Sequence, residues 1–125
     1  MLKSVEREGK KVSVRRVYVA YRFNDTDAGQ VLANIGVAHK VAFGLIQEGY
    51  TPFIPHWDFL LATMFGKKLP FNFYYKNSME WLKVCDAICV VQDGKPLSNG
   101  VLDEIEVAKE LNLSFMYKKV DLENL

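Results

Sequence analysis

The sequence predicts an α/β domain built as three layers around a four- to five-stranded parallel sheet. Strand-like segments rich in β-branched and aromatic residues alternate with segments whose apolar residues recur at helical spacing. Parallel strands need crossover connections, so the order β-α-β-α-β-α-β indicates a parallel sheet with helices on both faces. The 125 residues suit one domain with one hydrophobic core.

The first strand and the first helix have the clearest patterns. Residues 12–23, VSVRRVYVAYRF, are β-branched and aromatic without a breaker, which is typical of a strand. After the turn-forming residues NDTDAGQ, in which Asp27 is suited to cap a helix, apolar residues recur at helical spacing from Gln30 to Glu48. Gly49 then suits the left-handed position at which helices end.

The later elements follow from the same patterns. Strands are predicted over 51–56, 86–92 and 113–118, helices over 74–84 and 100–112, and a short helix followed by a loop over 57–72. This order predicts a polar N-terminal tail or edge extension over 1–13, a Rossmann-like or flavodoxin-like domain over 14–118, and a C-terminal tail over 119–125.

Charge and composition argue against several classes of protein. The 16 Lys and Arg balance 15 Asp and Glu, which argues against nucleic acid or an anionic membrane as the main partner. No apolar run approaches the roughly 20 residues that span a bilayer. The charged start lacks the apolar core of a secretory signal, so we expect a cytoplasmic protein.

The metal-ligating and redox-active residues are few. Cys85 and Cys89 are too few and too close for a disulfide framework, and we expect them to be reduced and packed. Only His39 and His56 could join them, so no metal site is expected. No glycine motif for nucleotide binding follows the first strand, and no cofactor is expected.

Glu104 is the residue whose position points most clearly to chemistry. The last helix places residues 101, 104, 105, 108 and 111 on one stripe, in which Glu104 accompanies four apolar residues. A carboxylate in a partly dry pocket is suited to act as a nucleophile or base. The alternative is an acid that complements the helix dipole, with its stem packed and its head in water.

Candidate ligand-binding residues lie in the loops that follow the first and third strands, 21–29 and 93–100, where open parallel sheets bind ligands. Ser98 and Asn99 precede the last helix and can either cap it or help its free N–H groups to hold a phosphate. Arg22 is either a phosphate clamp or a solvated charge.

Three further candidates lie near the same end of the predicted sheet. Tyr18 stands near the end of the first strand, where a core role is the alternative. His56 and Asp58 follow the second strand on either side of Trp57, and an aromatic side chain there could stack on a base. A packed loop is the alternative for these residues.

Taken together, these segments resemble the nucleoside 2-deoxyribosyltransferase superfamily, and most of all the 2′-deoxynucleoside 5′-phosphate N-hydrolase-like proteins and their small uncharacterised or phage-type relatives. The resemblance covers about residues 14–117. It rests on four blocks, which are RVYVAYR, LIQEGYTPFIPH, SMEWLKVCDAICVV and SNGVLDEIEVA. The last block is the most specific, because family members carry Ser or Asp, then Gly, then Glu six residues after the first.

The resemblance implies roles for several residues. Glu104 matches the family's nucleophile, which attacks C1′ of deoxyribose to form a glycosyl-enzyme, and Tyr18 matches the strand tyrosine beside it. Ser98, in the Ser98-Asn99-Gly100 block, matches a position that is Asp in transferases of free nucleosides and Ser in hydrolases that hold a 5′-phosphate.

The sequence also departs from the family. Ser78 stands where these enzymes usually carry an Asp that helps the base to leave, so Asp58, His56 or a neighbouring subunit would have to supply the proton. Arg22 matches a loop arginine only approximately. Asp86 matches a position at the start of a strand whose role is structural.

Three functions are compatible with these observations. The first is an N-glycosidase or deoxyribosyltransferase acting on a nucleoside or nucleoside 5′-monophosphate, a small-molecule partner. The second is a nucleotide-binding module without turnover, and the third is an interaction protein whose apolar stretch 57–73 forms a subunit interface. By resemblance we expect a homodimer or a higher homo-oligomer.

Overall fold

Four parallel strands form the central sheet in the computed structural model, which describes residues 4–7, 10–23, 27–58 and 71–124. The strands are β1 (Ser4–Arg7), β2 (Lys10–Ser13), β3 (Arg16–Ala20), β4 (Thr51–Phe53), β5 (Ala87–Gln92) and β6 (Ser114–Lys119). The helices are α1 (Ala28–Gln47), α2 (Phe71–Val84) and α3 (Asn99–Glu110), and a 3-10 turn covers Pro55–Trp57.

The central sheet has the strand order β4-β3-β5-β6, and every neighbouring pair is parallel. The chain passes from β3 to β4 on one side, and then crosses to β5 on the other side of β3. The strand order therefore reverses between β3 and β5, and their carboxyl ends open a crevice of the kind in which such sheets bind ligands. The predicted fold class, an α/β domain with a four-stranded parallel sheet, is confirmed.

The sheet is covered on both faces, because successive side chains of a strand point to opposite sides. Val17 and Val19 of β3 pack in the core cluster under α1, while Tyr18 and Ala20 pack in the cluster under α2 and α3. One helix on one face and two on the other give the three predicted layers. The cysteines are buried free thiols, Cys85 in the second cluster and Cys89 in the first.

Helix α1 begins and ends as the sequence predicts. The Asp27 side chain accepts a hydrogen bond of 2.9 Å from the Gly29 N–H, and Gly49 adopts the left-handed φ of 94° after the helix. By length and composition alone α1 could cross a membrane, which differs from the expectation that no segment approaches that length. Seven of its residues are nevertheless buried in this fold, as in a core helix.

The chain ends differ from the predicted boundaries. Within the predicted N-terminal tail, 1–13, strands β1 and β2 pair antiparallel in a two-stranded sheet of their own. The predicted first strand, 12–23, is therefore divided, and only β3 joins the central sheet. At the other end β6 includes Lys119, one residue beyond the predicted strand, and Val120 packs against the core.

The other boundaries shift by a few residues. Strand β4 ends at Phe53 rather than at residue 56, because the chain turns into the 3-10 segment at Pro55. Helix α2 begins at Phe71, three residues before the prediction. The predicted short helix and loop over 57–72 lie mostly outside the described residues.

Asp86 ties the starts of β3 and β5 together. Its buried carboxylate accepts hydrogen bonds of 3.0 and 2.9 Å from the N–H groups of Arg15 and Arg16, and its own N–H donates to the Arg16 carbonyl at 2.8 Å. The structural role expected for Asp86 agrees with these contacts.

Asp86→Ala is expected to lower the free energy of unfolding by about 2–3 kcal/mol, because two backbone donors lose their acceptor. Urea denaturation followed by circular dichroism measures the change. Asp103→Ala, which removes an exposed carboxylate on α3, is the control and should cost less than about 1 kcal/mol. Equal losses in the two variants would contradict the structural role of Asp86.

Candidate functional site

A cleft of about 230 Å³ opens at the carboxyl end of the sheet, where the strand order reverses. Four segments form its walls: the loop after β3, the segment after β4, the inner side of α2 and the start of α3. Its lining residues are Tyr21, Arg22, Phe23, Pro55, His56, Asp58, Tyr74, Tyr75, Ser78, Met79, Ser98, Gly100, Val101 and Glu104. The cleft is thus built from the sheet end that the strand order indicates.

Glu104 and Tyr18 meet at this cleft. Tyr18 projects from the middle of β3 and is fully buried, and its hydroxyl donates a short hydrogen bond to Glu104 Oε2. The helical stripe that contains Glu104 also contains Val101 and Ala108, which are buried, so the carboxylate is directed toward the sheet. The contact joins a residue of the central strand to one that lies 86 positions later in the sequence.

The environment shifts the pKa values of both partners. Burial raises the pKa of the Glu104 carboxyl to about 7, against the opposing effect of the hydrogen bond from Tyr18. Burial and the nearby Glu104 carboxylate raise the pKa of Tyr18 well above its ordinary value, although a hydrogen bond with Ser78 acts in the opposite direction. Tyr18 therefore keeps its proton, while Glu104 changes charge near neutral pH.

Arg22 and Asp93 form an ion pair between the loops that follow β3 and β5. Arg22 Nη2 lies 3.0 Å from Asp93 Oδ1 and 2.9 Å from Oδ2, and the Asp93 side chain is only 2% exposed. The Tyr21 hydroxyl and the Lys95 N–H, each at 2.9 Å, also donate to this carboxylate. Arg22 lines the cleft, and its ion pair with Asp93 holds the guanidinium in place there.

His56 holds the backbone of the loop after β3. Its ring is buried, and Nε2 lies 3.0 Å from the carbonyl oxygens of both Tyr21 and Arg22. Two acceptors at Nε2 place the proton on that nitrogen and leave Nδ1 as an acceptor. Burial lowers the pKa of His56, so the ring is neutral at pH 7.

Three buried polar atoms of the described residues have no hydrogen-bond partner, and all three belong to residues that line the cleft. They are His56 Nδ1, Arg22 Nε and the Tyr74 hydroxyl. Buried polar groups in folded proteins are almost always satisfied. Their concentration around one cleft is what a site for a polar ligand would show.

The remaining predicted residues lie at or near the cleft. Asp58 is partly buried, and this burial raises the pKa of its carboxyl against a hydrogen bond with Asn77. Ser98 caps α3, since its Oγ accepts a hydrogen bond of 3.3 Å from the Val101 N–H, and it also lines the cleft with Gly100 and Ser78. Asn99 is exposed and is not among the lining residues.

Sequence reasoning missed several residues of the site, and four of them are polar residues that shape it. Asp93 lies within the loop predicted to bind ligand, but it was not distinguished from its neighbours. Tyr74 and Tyr75 are at the poorly patterned start of α2, and Asn34 donates at 3.3 Å to the Phe23 carbonyl from within α1. A polar residue on the buried side of α1 was the only available signal for Asn34.

No metal-binding group of three His, Cys, Asp or Glu side chains occurs in the part of the chain that the structure describes.

This chain matches one family model, and its fold is similar to that of a solved structure. A family model described as "Domain of unknown function (DUF7768)" matches residues 15–118. Among solved structures, the chain is similar to a 2-desoxiribosyltransferase from Leishmania mexicana, with a TM-score of 0.61 and 14% sequence identity. The similarity covers 86% of this chain but 65% of that one, so this chain spans less than two thirds of its length. No curated protein matches.

The Glu104→Gln variant is expected to gain stability relative to the parent protein as the pH rises. The folded-state pKa of about 7 exceeds the ordinary 4.5, so the folded protein binds more protons than the unfolded chain between these values. The stability that the protonated carboxyl contributes is therefore complete below pH 4.5 and is lost as the pH rises through 7. Glutamine removes this dependence.

The measurement is urea denaturation of both proteins from pH 5 to pH 8. The stability of the variant relative to the parent should increase across this range by about 1–3 kcal/mol. The control is Glu106→Gln, which changes an exposed carboxylate on the same helix and should show no such trend. A constant difference between Glu104→Gln and the parent would contradict the buried, proton-retaining carboxyl.

Proposed function

The chain belongs to the DUF7768 family of domains of unknown function, and we propose that it is an N-glycosidase or deoxyribosyltransferase-like enzyme. Its substrate would be a nucleoside or nucleoside 5′-monophosphate, whose N-glycosidic bond it cleaves or exchanges. The observation that carries the proposal is the buried Tyr18 hydroxyl that donates to Glu104 at the cleft. The fold similarity to a 2-desoxiribosyltransferase supports the same class of chemistry.

In the proposed reaction a Glu104 oxygen attacks C1′ of the sugar. The new C1′–O bond forms as the C1′–N bond breaks, and the electron pair of that bond leaves with the base. Water then opens the glycosyl-enzyme in hydrolysis, or a nitrogen of a second base does so in transfer. The result at C1′ is retention in either case.

Tyr18 positions the nucleophile in this mechanism. Because its raised pKa keeps the phenol protonated, Tyr18 donates to Glu104 Oε2 and leaves Oε1 for attack on C1′. The rigid elements β3 and α3 carry the two groups, so the carboxylate is held in place before the substrate arrives. The same hydrogen bond favours the ionised form of Glu104, which is the reactive one.

Asp58 is the better candidate for protonating the leaving base. It lines the cleft with Glu104, and burial raises its pKa, so its carboxyl retains a proton more readily than an exposed aspartate does. His56 is less suited, because it is neutral and its one N–H group already donates to two backbone carbonyls. Ser78 lines the cleft but lacks an acidic proton.

A nucleotide-binding module without turnover is the second candidate function. Ser78 favours it, because the enzymes that the sequence resembles usually carry Asp at this position, and the unpartnered polar atoms around the cleft would serve binding alone equally well. Thermal-shift measurements with nucleosides and nucleotides distinguish the two functions. Stabilisation without release of free base supports the module, whereas release of base supports the enzyme.

Glu104→Gln is expected to lower the rate of base release by at least about 10³-fold, because the amide cannot act as the nucleophile. The assay incubates the protein with 2′-deoxynucleosides and their 5′-monophosphates and measures free base by chromatography. The matched control is Glu106→Gln, whose carboxylate is exposed and pairs with Lys109 at 3.4 Å. If the parent and Glu104→Gln release base at the same rate, Glu104 is not the nucleophile.

Asp58→Asn is expected to slow release of natural bases by about 10²–10⁴-fold, because a neutral amide cannot protonate them. A 2′-deoxyriboside with a nitrophenolate leaving group needs little protonation and should be affected much less. The ratio of the two rates is the readout, and Asp121→Asn, an exposed acid, is the control. Equal slowing of both substrates would show that Asp58 does not supply the proton.

A further inference from the structure

The charges around the cleft bear on which substrate it accepts, and this step rests on the proposed function. Arg22 is the one cation among the described lining residues, because His56 is neutral. Its guanidinium is already paired with Asp93, at 2.9 and 3.0 Å from the two carboxylate oxygens. The positive charge is therefore compensated before any ligand enters.

Two carboxyl groups also lie in the cleft wall. Asp58 and Glu104 both line the cleft, and neither forms an ion pair with a described Lys or Arg side chain. With Asp58 protonated, as its role in the proposed reaction requires, the charges of the described residues around the cleft are the Arg22 cation, the Asp93 carboxylate behind it, and the Glu104 carboxylate, which is ionised above its pKa of about 7. A phosphate dianion that enters the cleft would be repelled, since like charges brought close together in a partly dry site are costly.

The unsatisfied atoms in the cleft also suit an uncharged ligand. His56 Nδ1 is an acceptor on a ring that is 1% exposed, and it has no partner. The 5′-hydroxyl of a nucleoside can donate to it, whereas the phosphate dianion at the same position of the monophosphate has only acceptors. A neutral carbonyl or hydroxyl oxygen of the ligand can accept a hydrogen bond from the unpartnered Arg22 Nε–H group.

We propose that the Asp93 carboxylate, by neutralising Arg22, makes the cleft selective for an uncharged nucleoside over the corresponding 5′-monophosphate. Asp93 does not line the cleft, so it acts through Arg22 as a specificity-determining residue.

The first test uses the unaltered protein at pH 7.5, where a nucleotide phosphate is a dianion. Calorimetry measures the binding of the four common 2′-deoxynucleosides and their 5′-monophosphates at 50 and 300 mM salt. We expect at least one nucleoside to bind about tenfold more tightly than its monophosphate, with the monophosphate gaining affinity as salt screens the repulsion. Nucleoside affinity should not depend on salt.

Two results would overturn the inference without affecting the proposed function. One is a monophosphate that binds as tightly as its nucleoside or more tightly, and the other is monophosphate affinity that falls with added salt. Absence of binding by every member of the panel at millimolar concentration would overturn the proposed function itself, and the selectivity with it.

The second test changes the charge. Asp93→Asn should shift the ratio of affinities about tenfold toward the monophosphate, because Arg22 is then free to pair with phosphate. The double variant Asp93→Asn, Arg22→Gln has the same net charge at this pair as the parent protein. Its ratio of nucleoside affinity to monophosphate affinity should therefore return toward that of the parent. Asp121→Asn removes the charge of an exposed acid that does not line the cleft, and it should leave the ratio unchanged.

A merely structural role for Asp93 would give a different pattern. If Asp93→Asn lowers the affinities for nucleoside and monophosphate by the same factor, the ratio does not move and the proposal fails. If Asp93→Asn does not fold, the salt dependence measured on the unaltered protein still decides the matter, since it needs no substitution.

Discussion

The hydrogen bond from Tyr18 to Glu104 is the contact on which the candidate site depends. Tyr18 occupies the middle of the central strand and is completely buried, so its hydroxyl needs a partner inside the protein. Glu104 accepts this hydrogen bond, and together with the packing of Val101 and Ala108 it joins α3 to the sheet. A requirement of the core and a requirement of the cleft are therefore met by one pair of side chains.

The loop after β3 is fixed around this pair by three other elements. Asn34 of α1 donates to the Phe23 carbonyl, and His56 donates to the two preceding carbonyls. Asp93, after β5, binds the side chains of Tyr21 and Arg22. Polar side chains from three other segments thus hold residues 21–23, which places Arg22 at the cleft.

Local patterns account for the part of this architecture that could be predicted. The stripe around Glu104 is a property of one helix, and the positions of Asp27 and Gly49 are properties of one helix end. The division of the first strand could not be predicted in this way. Val12 and Val14 continue the β-branched pattern of residues 16–20, and only the pairing of β2 with Ser4–Arg7 separates residues 10–13 from the central sheet.

The ion pair of Arg22 and Asp93 was beyond local reasoning for a similar reason. The residues lie 71 positions apart, and they meet because β3 and β5 are adjacent, which the order of the elements does not specify. The start of α2 was missed because its aromatic residues alternate with polar ones at no clear period, so Tyr74 and Tyr75 could not be assigned to the cleft.

Burial has opposite consequences for stability and for reactivity at Glu104. A carboxylate shielded from water is poorly solvated, which raises its pKa and destabilises the fold when it ionises near neutral pH. The same poor solvation makes an ionised carboxylate more reactive toward carbon, and the Tyr18 hydroxyl offsets only part of the cost. A core that needed only to satisfy Tyr18 could have used a neutral acceptor such as glutamine. The presence of a carboxylate, at the edge of a cleft with other unsatisfied polar atoms, is better explained by chemistry or ligand binding than by packing alone.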